Sequence, residues 1–325
     1  MRVLIRSLVV TALGLVWGML PAAQAAERYP TKPVRMLVGY PPGGPTDLAA
    51  RLAAQHLTDA LGQQVIVDNR PGAGGTVSAT LLAQSNPDGY TLGLGSNGEM
   101  AISPNLRRKL PYNPVTDLAT VSRIGASQLV LIVHPSVPAR SVKELIALAK
   151  AKPGAINFAS SGTGSTAHLC SELFKSMAAI DIVHVPYKGA GPAMTDLMGG
   201  QVQMLITGYS AAVPHVKAGK LRALGVTGAK RLKSAPQLPA IGESVPGYDV
   251  TSWYGIVAPR GTPAPIIQRV YREIAAMTRK AEVAERLAAL GIEPEGNTPQ
   301  EFAAQVKSEI AKWGKVIKAA GVTVE

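Results

Sequence analysis

The sequence is poor in the residues that carry redox, metal and nucleic-acid chemistry. Its single cysteine, Cys170, leaves no internal disulfide to be made in any compartment. Cys170 stands among Leu169, Leu173 and Phe174 in a helical pattern, the setting of a small buried hydrophobe and not of a reactive thiol. The five histidines, His56, His134, His168, His184 and His215, are dispersed without ligand spacing, and no H-E-x-x-H or G-x-S-x-G segment occurs. No metal and no cofactor is therefore expected. Aromatic residues make up only 5% of the chain, and basic residues such as Arg269, Arg272, Arg279 and Lys280 are scattered along helical patterns without interleaved aromatics. That arrangement argues against a nucleic-acid partner although the formal charge is +12. The excess would at most draw an anionic solute by long-range attraction.

Long apolar runs are also missing, with one exception at the N-terminus. Arg2 and Arg6 flank the start of the run Leu8 to Leu20, which Pro21 and Ala22-Ala23-Gln24-Ala25-Ala26 close. The run is short for a bilayer span and ends in an A-x-A pattern, so residues 1–25 read as a cleaved secretory signal in preference to a retained anchor. No cysteine follows the run, which leaves no site for N-terminal lipid attachment. The mature protein is expected to begin near Ala26 and to be soluble in the periplasm.

What is present is an alternation of short β-type runs and helical patterns, the mark of an α/β fold with largely parallel strands. Strands are expected at Val34–Val38, Val65–Val67 and Thr91–Gly95, with helices at Asp47–Leu61 and Thr76–Ala83 between them. A Pro- and Asn-rich segment, Ser103 to Asp117, follows. A second series then begins, with strands at Leu129–Val133, Asn157–Ala159, Ile182–Val185, Val202–Ile206 and Leu221–Val226. Helices are expected there at Val142–Ala151, Ser165–Ala178 and Pro192–Met198. After a Pro-rich stretch between Ala235 and Gly247 come a strand at Trp253–Ala258 and helices at Ala264–Met277, Ala281–Leu290 and Pro299–Ala320. A chain of this length tends to split. The expected division is a first lobe of residues 26–122 plus 248–325 and a second lobe of residues 123–247. The crossings are placed near residues 118–128 and within residues 235–247, leaving a hinged cleft between the lobes.

Two loops carry the strongest signals. Pro41-Pro42-Gly43-Gly44-Pro45-Thr46-Asp47 lies between a strand and a helix, and its glycines, capping residues and helix N-terminus suit an anion. The same segment also reads as an ordinary β-to-α turn with a good cap. Ser160-Ser161-Gly162-Thr163-Gly164-Ser165-Thr166 repeats the design in the other lobe, and a pair of such loops at carboxyl ends of strands is where open α/β sheets bind ligands. Gly162 to Ala167 also fits G-x-G-x-x-A, but Asp181 opens the next strand instead of closing it, and an exported chain has little access to a dinucleotide. Asn69 to Gly75 lacks the lysine and hydroxyl of a phosphate-binding loop. His168 follows the second loop, and an exported hydrolase using His168 or Asp47 is the alternative of a different class. Tyr187-Lys188-Gly189 suits the cleft or a surface turn equally, and Trp253 and Tyr254 suit a lobe-junction core.

Several ordered segments resemble one family: Tyr29-Pro30-Thr31-Lys32-Pro33-Val34-Arg35, Pro41 to Gly44 with Asp47, Asn69 to Gly75, and Asn86-Pro87-Asp88-Gly89-Tyr90-Thr91-Leu92. Ser160 to Ser165 with His168-Leu169, Pro186 to Gly189, Ala218 to Leu224, and Ser252 to Gly255 continue the match. The chain resembles the Bug, or TctC-type, substrate-binding proteins of tripartite tricarboxylate transporters. The resemblance implies a two-lobed α/β periplasmic binding protein, type II-like, that is monomeric, is not an enzyme, and delivers a small carboxylate to integral-membrane permease subunits. A partner that presents ligand to a receptor kinase would use the same closed form. The resemblance further implies Pro42, Gly43, Gly44, Thr46 and Asp47 on one wall of the cleft, and Ser161, Thr163, Gly164, Ser165 and Thr166 on the other. Ser96 and Asn97 would lie at the floor. Many relatives carry an acidic residue where this chain has Thr207-Gly208-Tyr209. Thr207 is thus expected to disfavour an amino acid against a di- or tricarboxylate or an aromatic acid.

Overall fold

The computed structural model describes residues 29–322. The expected signal segment lies outside those residues. In chain order the elements are β1 (Val34–Val38), α1 (Pro45–Leu61), β2 (Val65–Asn69), α2 (Thr76–Ala83), β3 (Thr91–Ser96), α3 (Ser103–Leu106) and β4 (Leu118–Val133). Then come α4 (Val142–Ala151), β5 (Asn157–Ser160), α5 (Thr166–Ala178), β6 (Val183–Pro186), α6 (Ala190–Met198), β7 (Met204–Gly208), α7 (Tyr209–Lys217) and β8 (Arg222–Val226). The chain closes through β9 (Thr251–Pro259), α8 (Ala264–Met277), α9 (Ala281–Ala289), β10 (Ile292–Pro294) and α10 (Pro299–Ala320).

The strands join in one hydrogen-bonded path, β2-β1-β3-β9-β4-β7-β5-β6, with β8 and β10 also pairing β4. β1 runs parallel to β2 and β3, and β5 parallel to β6 and β7. Side chains alternate across a strand, and here both faces are covered. On β1, Val34, Met36 and Val38 join the apolar layer under α1 and α8, while Leu37 enters the opposite layer with Trp253 and Phe302. On β4, Leu129, Leu131 and Val133 face the layer containing Phe158 and Phe174, and Val130 and Ile132 face the other.

Residues 118–128, expected to carry a crossing, are strand. Over Leu118–Gln128 β4 pairs antiparallel with β9, and over Leu129–Val133 it pairs with β7. One uninterrupted strand therefore ties the two lobes together. The Pro- and Asn-rich segment Ser103–Asp117 begins with helix α3, where Pro104 occupies the first turn, the place a helix tolerates it. Helix α7 was not expected because Pro214 lies inside it.

Helix α10 is a second tie. Thr298 caps it, accepting from the Glu301 N–H while Glu301 returns a carboxylate to the Thr298 N–H, and Gly321 ends it at φ 62°. Its first half packs Phe302 and Val306 against Trp253, and its second half sets Trp313, Val316 and Ile317 in the layer containing Phe158. Trp253 and Tyr254 are buried as lobe-junction core, and Cys170 is buried as well.

The β4–β10 junction leaves no room for a side chain at Gly125, where an added Cβ would lie 2.4 Å from the Glu293 carbonyl oxygen. That oxygen belongs to backbone paired with β4 and cannot swing away. Gly125→Ala should lower the free energy of unfolding by about 2 kcal/mol, measured by urea titration of the mature chain. An unchanged midpoint would show that β10 shifts freely.

Candidate functional site

The site forms where strands end, because parallel strands direct their carboxyl ends, and the helices that follow them, to the same side of the sheet. A cavity of about 460 Å³ lies between the end of β5 and the segment after β3. Ser161, Gly162, Thr163, Gly164, Ser165, Thr166 and Ala167 form one wall, and Thr207 with Gly208, at the end of β7, form its side. Opposite are Tyr40, Ala73, Gly74, Gly98, Ser103 and Arg107. Ser161, Thr163, Gly164, Ser165, Thr166 and Thr207 are thus brought together around one space.

The 161–167 wall is an α-helix N-terminus held in place from behind. Ser165 caps α5, its Oγ accepting from the His168 N–H at 3.2 Å. The Gly164 N–H donates to His168 Nδ1 at 3.0 Å, so that nitrogen acts as an acceptor in this arrangement. The N1 and N2 amides, of Thr166 and Ala167, have no acceptor within the helix and belong to residues that line the cavity. With the helix dipole behind them they make a neutral donor set for an anion. Ser160 Oγ lies 2.7 Å from His184 Nε2, and the His184 ring stacks on His168 at 3.8 Å. Burial, with His168 beside it, lowers the pKa of His184 to about 4, so at neutral pH it remains an uncharged support for the loop. His168 is buried, lies outside the lining and has its Nδ1 engaged by the Gly164 N–H, an arrangement that positions the loop.

The first expected loop is placed differently. Pro42 and Gly43 are exposed, Gly44 and Thr46 half-buried, and none of the four lines the cavity. Asp47 is buried and turned into its own loop, where Oδ2 accepts from the Gly43 N–H and from Arg51 Nε, each at 2.9 Å, and Oδ1 accepts from Asn69 Nδ2 at 2.9 Å. Burial alone would raise its pKa, but the hydrogen bonds from Arg51, Gly43 and Asn69 outweigh it and hold the carboxyl below the usual value. Asp47→Asn should cost about 1 to 2 kcal/mol of folding stability at neutral pH. The sign follows from the lowered pKa: the carboxylate's contribution is complete above the unfolded-state value near 3.8 and is lost as pH falls through the folded value. The gap between variant and parent should accordingly close in acid, as read by thermal unfolding across pH, and a gap independent of pH would refute this role.

Ser96 and Asn97 are buried behind the opposite wall. The Ser96 N–H and hydroxyl donate to the Glu99 carboxylate at 2.6 and 2.7 Å, and Asn97 Nδ2 donates to the Thr251 carbonyl at 3.0 Å. Glu99 was not anticipated. It is 3% exposed, and burial raises its pKa to about 7 against the opposing hydrogen bonds from Ser96 and Tyr40. Tyr40 Oη reaches Glu99 Oε2 at 3.2 Å and Ser96 Oγ at 3.1 Å, which connects this buried group to the lining. Gly98 is required by the close approach of this wall, since a Cβ there would lie 2.6 Å from Tyr40 Oη. Tyr40, Ser103 and Arg107 also escaped the sequence reading. Tyr187 turns to Asp196, its hydroxyl donating at 2.7 Å, and takes no part in the cavity.

Comparison with known proteins gives one direction. A model of the "Tripartite tricarboxylate transporter family receptor", TctC, matches residues 49–322. Protein BugT of Bordetella pertussis is 37% identical, covering 98% of this chain and 99% of that protein. Among solved structures, Rpa4515 of R. palustris with adipate is 39% identical with a TM-score of 0.78, covering 91% of this chain and 99% of that one. MatC of Rhodopseudomonas palustris with bound malate is 31% identical with a TM-score of 0.74, covering 89% and 100%.

Proposed function

Because the chain belongs to the tripartite tricarboxylate transporter receptor family, the TctC or Bug family, we propose that it is a periplasmic receptor for a small carboxylate, which it binds without chemical change. The observation that carries this reading is a cavity lined both by the capped N-terminus of α5 and by Tyr40, Gly98 and Arg107 from the other lobe. A carboxylate at the Thr166 and Ala167 amides would contact one lobe, and its remainder the other. Binding both halves favours the closed form by the difference in affinity between closed and open. Relatives solved with adipate and malate support the ligand class. Among the described residues no helix is long and apolar enough to cross a membrane, so delivery would require separate integral-membrane permease subunits that recognise the closed form.

The ligand-binding contacts proposed are Ser161, Thr163, Gly164, Ser165, Thr166 and Thr207, which line the cavity; Pro42, Gly43, Gly44, Thr46, Asp47, Ser96 and Asn97, also expected as contacts, stand outside that lining. Residues 1–25 are proposed as the export signal. The lobes are proposed as residues 26–122 with 248–325 and residues 123–247.

A thermal-shift screen of residues 26–325 against di- and tricarboxylates, aromatic acids and amino acids tests the reading. A ligand at a hundred times its dissociation constant should add about 2.7 kcal/mol and raise the midpoint visibly. Hits confined to amino acids would overturn the role given to Thr207, and silence across all carboxylates would overturn the receptor reading. Deletion of the gene should abolish uptake of the ligand so found; intact uptake would remove the permease from the proposal.

A further inference from the structure

Resting on the carboxylate-receptor reading above, we infer that Tyr40 gives its hydroxyl proton to the bound carboxylate only when the buried Glu99 side chain is protonated, so that capture of the ligand is linked to uptake of one proton. Glu99 is a positioning residue in this scheme: it is 3% exposed, stands outside the cavity lining and acts through Tyr40, which is part of that lining. The Tyr40 hydroxyl itself sits at the cavity wall. Gly74, whose carbonyl is 3.5 Å from Oη, and Gly98, where an added Cβ would lie 2.6 Å from Oη, both line the same space.

The two carboxyl oxygens of Glu99 have different neighbours, and that difference fixes where a proton goes. Oε1 accepts from the Ser96 N–H at 2.6 Å, a donor that cannot reverse. Oε2 accepts from two hydroxyls, Ser96 Oγ at 2.7 Å and Tyr40 Oη at 3.2 Å, and Oη also lies 3.1 Å from Ser96 Oγ. Hydroxyls serve as donor or acceptor. With Glu99 ionised, both O–H groups turn to the carboxylate, and Tyr40 shows the cavity only lone pairs, which repel an anion. With the proton on Oε2 the chain runs the other way. Oε2–H then donates to Ser96 Oγ, Ser96 donates to Tyr40 Oη, and the Tyr40 O–H is released to the cavity. There the long approach to the Gly74 carbonyl competes poorly with an ionised ligand. A negative charge on Glu99 also opposes the ligand's own charge, so both effects have one sign.

Burial sets the working range, raising the pKa of Glu99 to about 7 against the hydrogen bonds from Ser96 and Tyr40. The other titratable groups that face it are three phenols: Tyr40, Tyr112, which donates to the Glu99 carbonyl at 2.6 Å, and Tyr254 of β9. Burial raises the pKa of each, and all three stay neutral across the range. Arg107 on the same wall, with Nη2 on the Ala73 carbonyl at 3.4 Å, carries its charge throughout and adds no slope. Linkage is reciprocal: a site that binds its ligand better when protonated must hold its proton more tightly once occupied.

Isothermal titration of the mature chain at pH 6 and pH 8.5 with malate, adipate, citrate and benzoate tests the inference on whichever acid binds. The parent should bind that acid roughly tenfold or more weakly at pH 8.5 than at pH 6. At pH 7.5, buffers of different ionisation enthalpy should report uptake of about half a proton or more per ligand. Glu99→Gln places an amide donor where the protonated carboxyl has its own. It should hold at pH 8.5 the affinity that the parent has at pH 6, and it should lack this uptake. Tyr40→Phe should bind roughly tenfold more weakly than the parent at pH 6 and by no comparable factor at pH 8.5, where the hydroxyl is committed to Glu99. Ionisation of the ligand and of other groups is common to parent and variants and cancels, and thermal unfolding guards against a folding defect. Affinities of parent and Glu99→Gln that keep one ratio at both pH values overturn the inference and leave the receptor standing, as does a Tyr40→Phe variant that matches the parent at pH 6. Absence of binding to all four acids overturns the receptor reading and the inference with it.

Discussion

Replacing Thr166 with proline should weaken carboxylate binding by roughly ten- to hundredfold while leaving the folded protein intact. Thr166 is the first helical residue of α5, a position that proline favours because its N–H has no partner within the helix and its fixed φ suits the start of a helix. The residue before it must be extended, and Ser165 already has ψ 159°. The cap is untouched, since Ser165 Oγ accepts from His168 and not from residue 166. What proline removes is one donor pointing out of the helix end. Thr166→Ala, which removes the hydroxyl and keeps the amide, separates the two contributions. Titration of both variants with the parent's ligand decides the matter: if proline and alanine weaken binding equally, the amide is not a donor and the anion is held elsewhere in the cavity.

Much of this wall was legible in the sequence, because a Gly- and Ser-rich stretch between an apolar strand and a helical pattern has one common physical use. Ser165 as a cap, the end of β5 and the start of α5 all follow from local chemistry, and the structure places Ser161, Thr163, Gly164, Ser165 and Thr166 around one cavity. The opposite wall was far less legible. Tyr40 follows β1 while Glu99 and Arg107 belong to the stretch after β3, so the two segments meet only after β1 and β3 pair, and no local pattern marks them. An acidic residue three places beyond a strand reads as solvated, yet Glu99 is buried by a fold in which Gly75 leaves space for its carboxyl. The strand Leu118–Gln128 was hidden for a related reason. It contains Ser122, Arg123 and Gln128, polar residues whose partners come from elsewhere in the chain: Ser122 Oγ donates to the Asn297 carbonyl at 2.9 Å, Arg123 to Gln305 of α10, and Gln128 Nε2 to the Lys230 carbonyl at 3.0 Å. Periodicity reports which side chains prefer burial and is silent about polar groups that tertiary contacts satisfy.

Glu99 carries the largest expected effect on stability. Its carboxyl ionises near 4.5 in the unfolded chain and near 7 when folded, because burial removes water from the charged form. Between those values the unfolded chain gives up its proton while the folded chain keeps it, so stability falls as pH rises through the window and is level on either side. The whole excursion is about 3 kcal/mol. Glu99→Gln is neutral throughout and lacks this slope. Urea unfolding of parent and variant from pH 4.5 to pH 8 should therefore show the variant gaining on the parent by about 3 kcal/mol, whatever constant offset the amide introduces through Ser96 and Tyr40. Other titrating groups are common to both chains and cancel in the difference. Curves that stay parallel across the window would mean that Glu99 ionises in the folded protein as it does in water. The groups nearest its carboxylate, Ser96, Tyr40 and the more distant Tyr112 and Tyr254, are uncharged; the hydrogen bonds from Ser96 and Tyr40 oppose the effect of burial without cancelling it. Burial thus leaves the carboxyl behind Tyr40 mostly uncharged below about pH 7 and mostly charged above it, behind a cavity wall that shares its space with the α5 N-terminus.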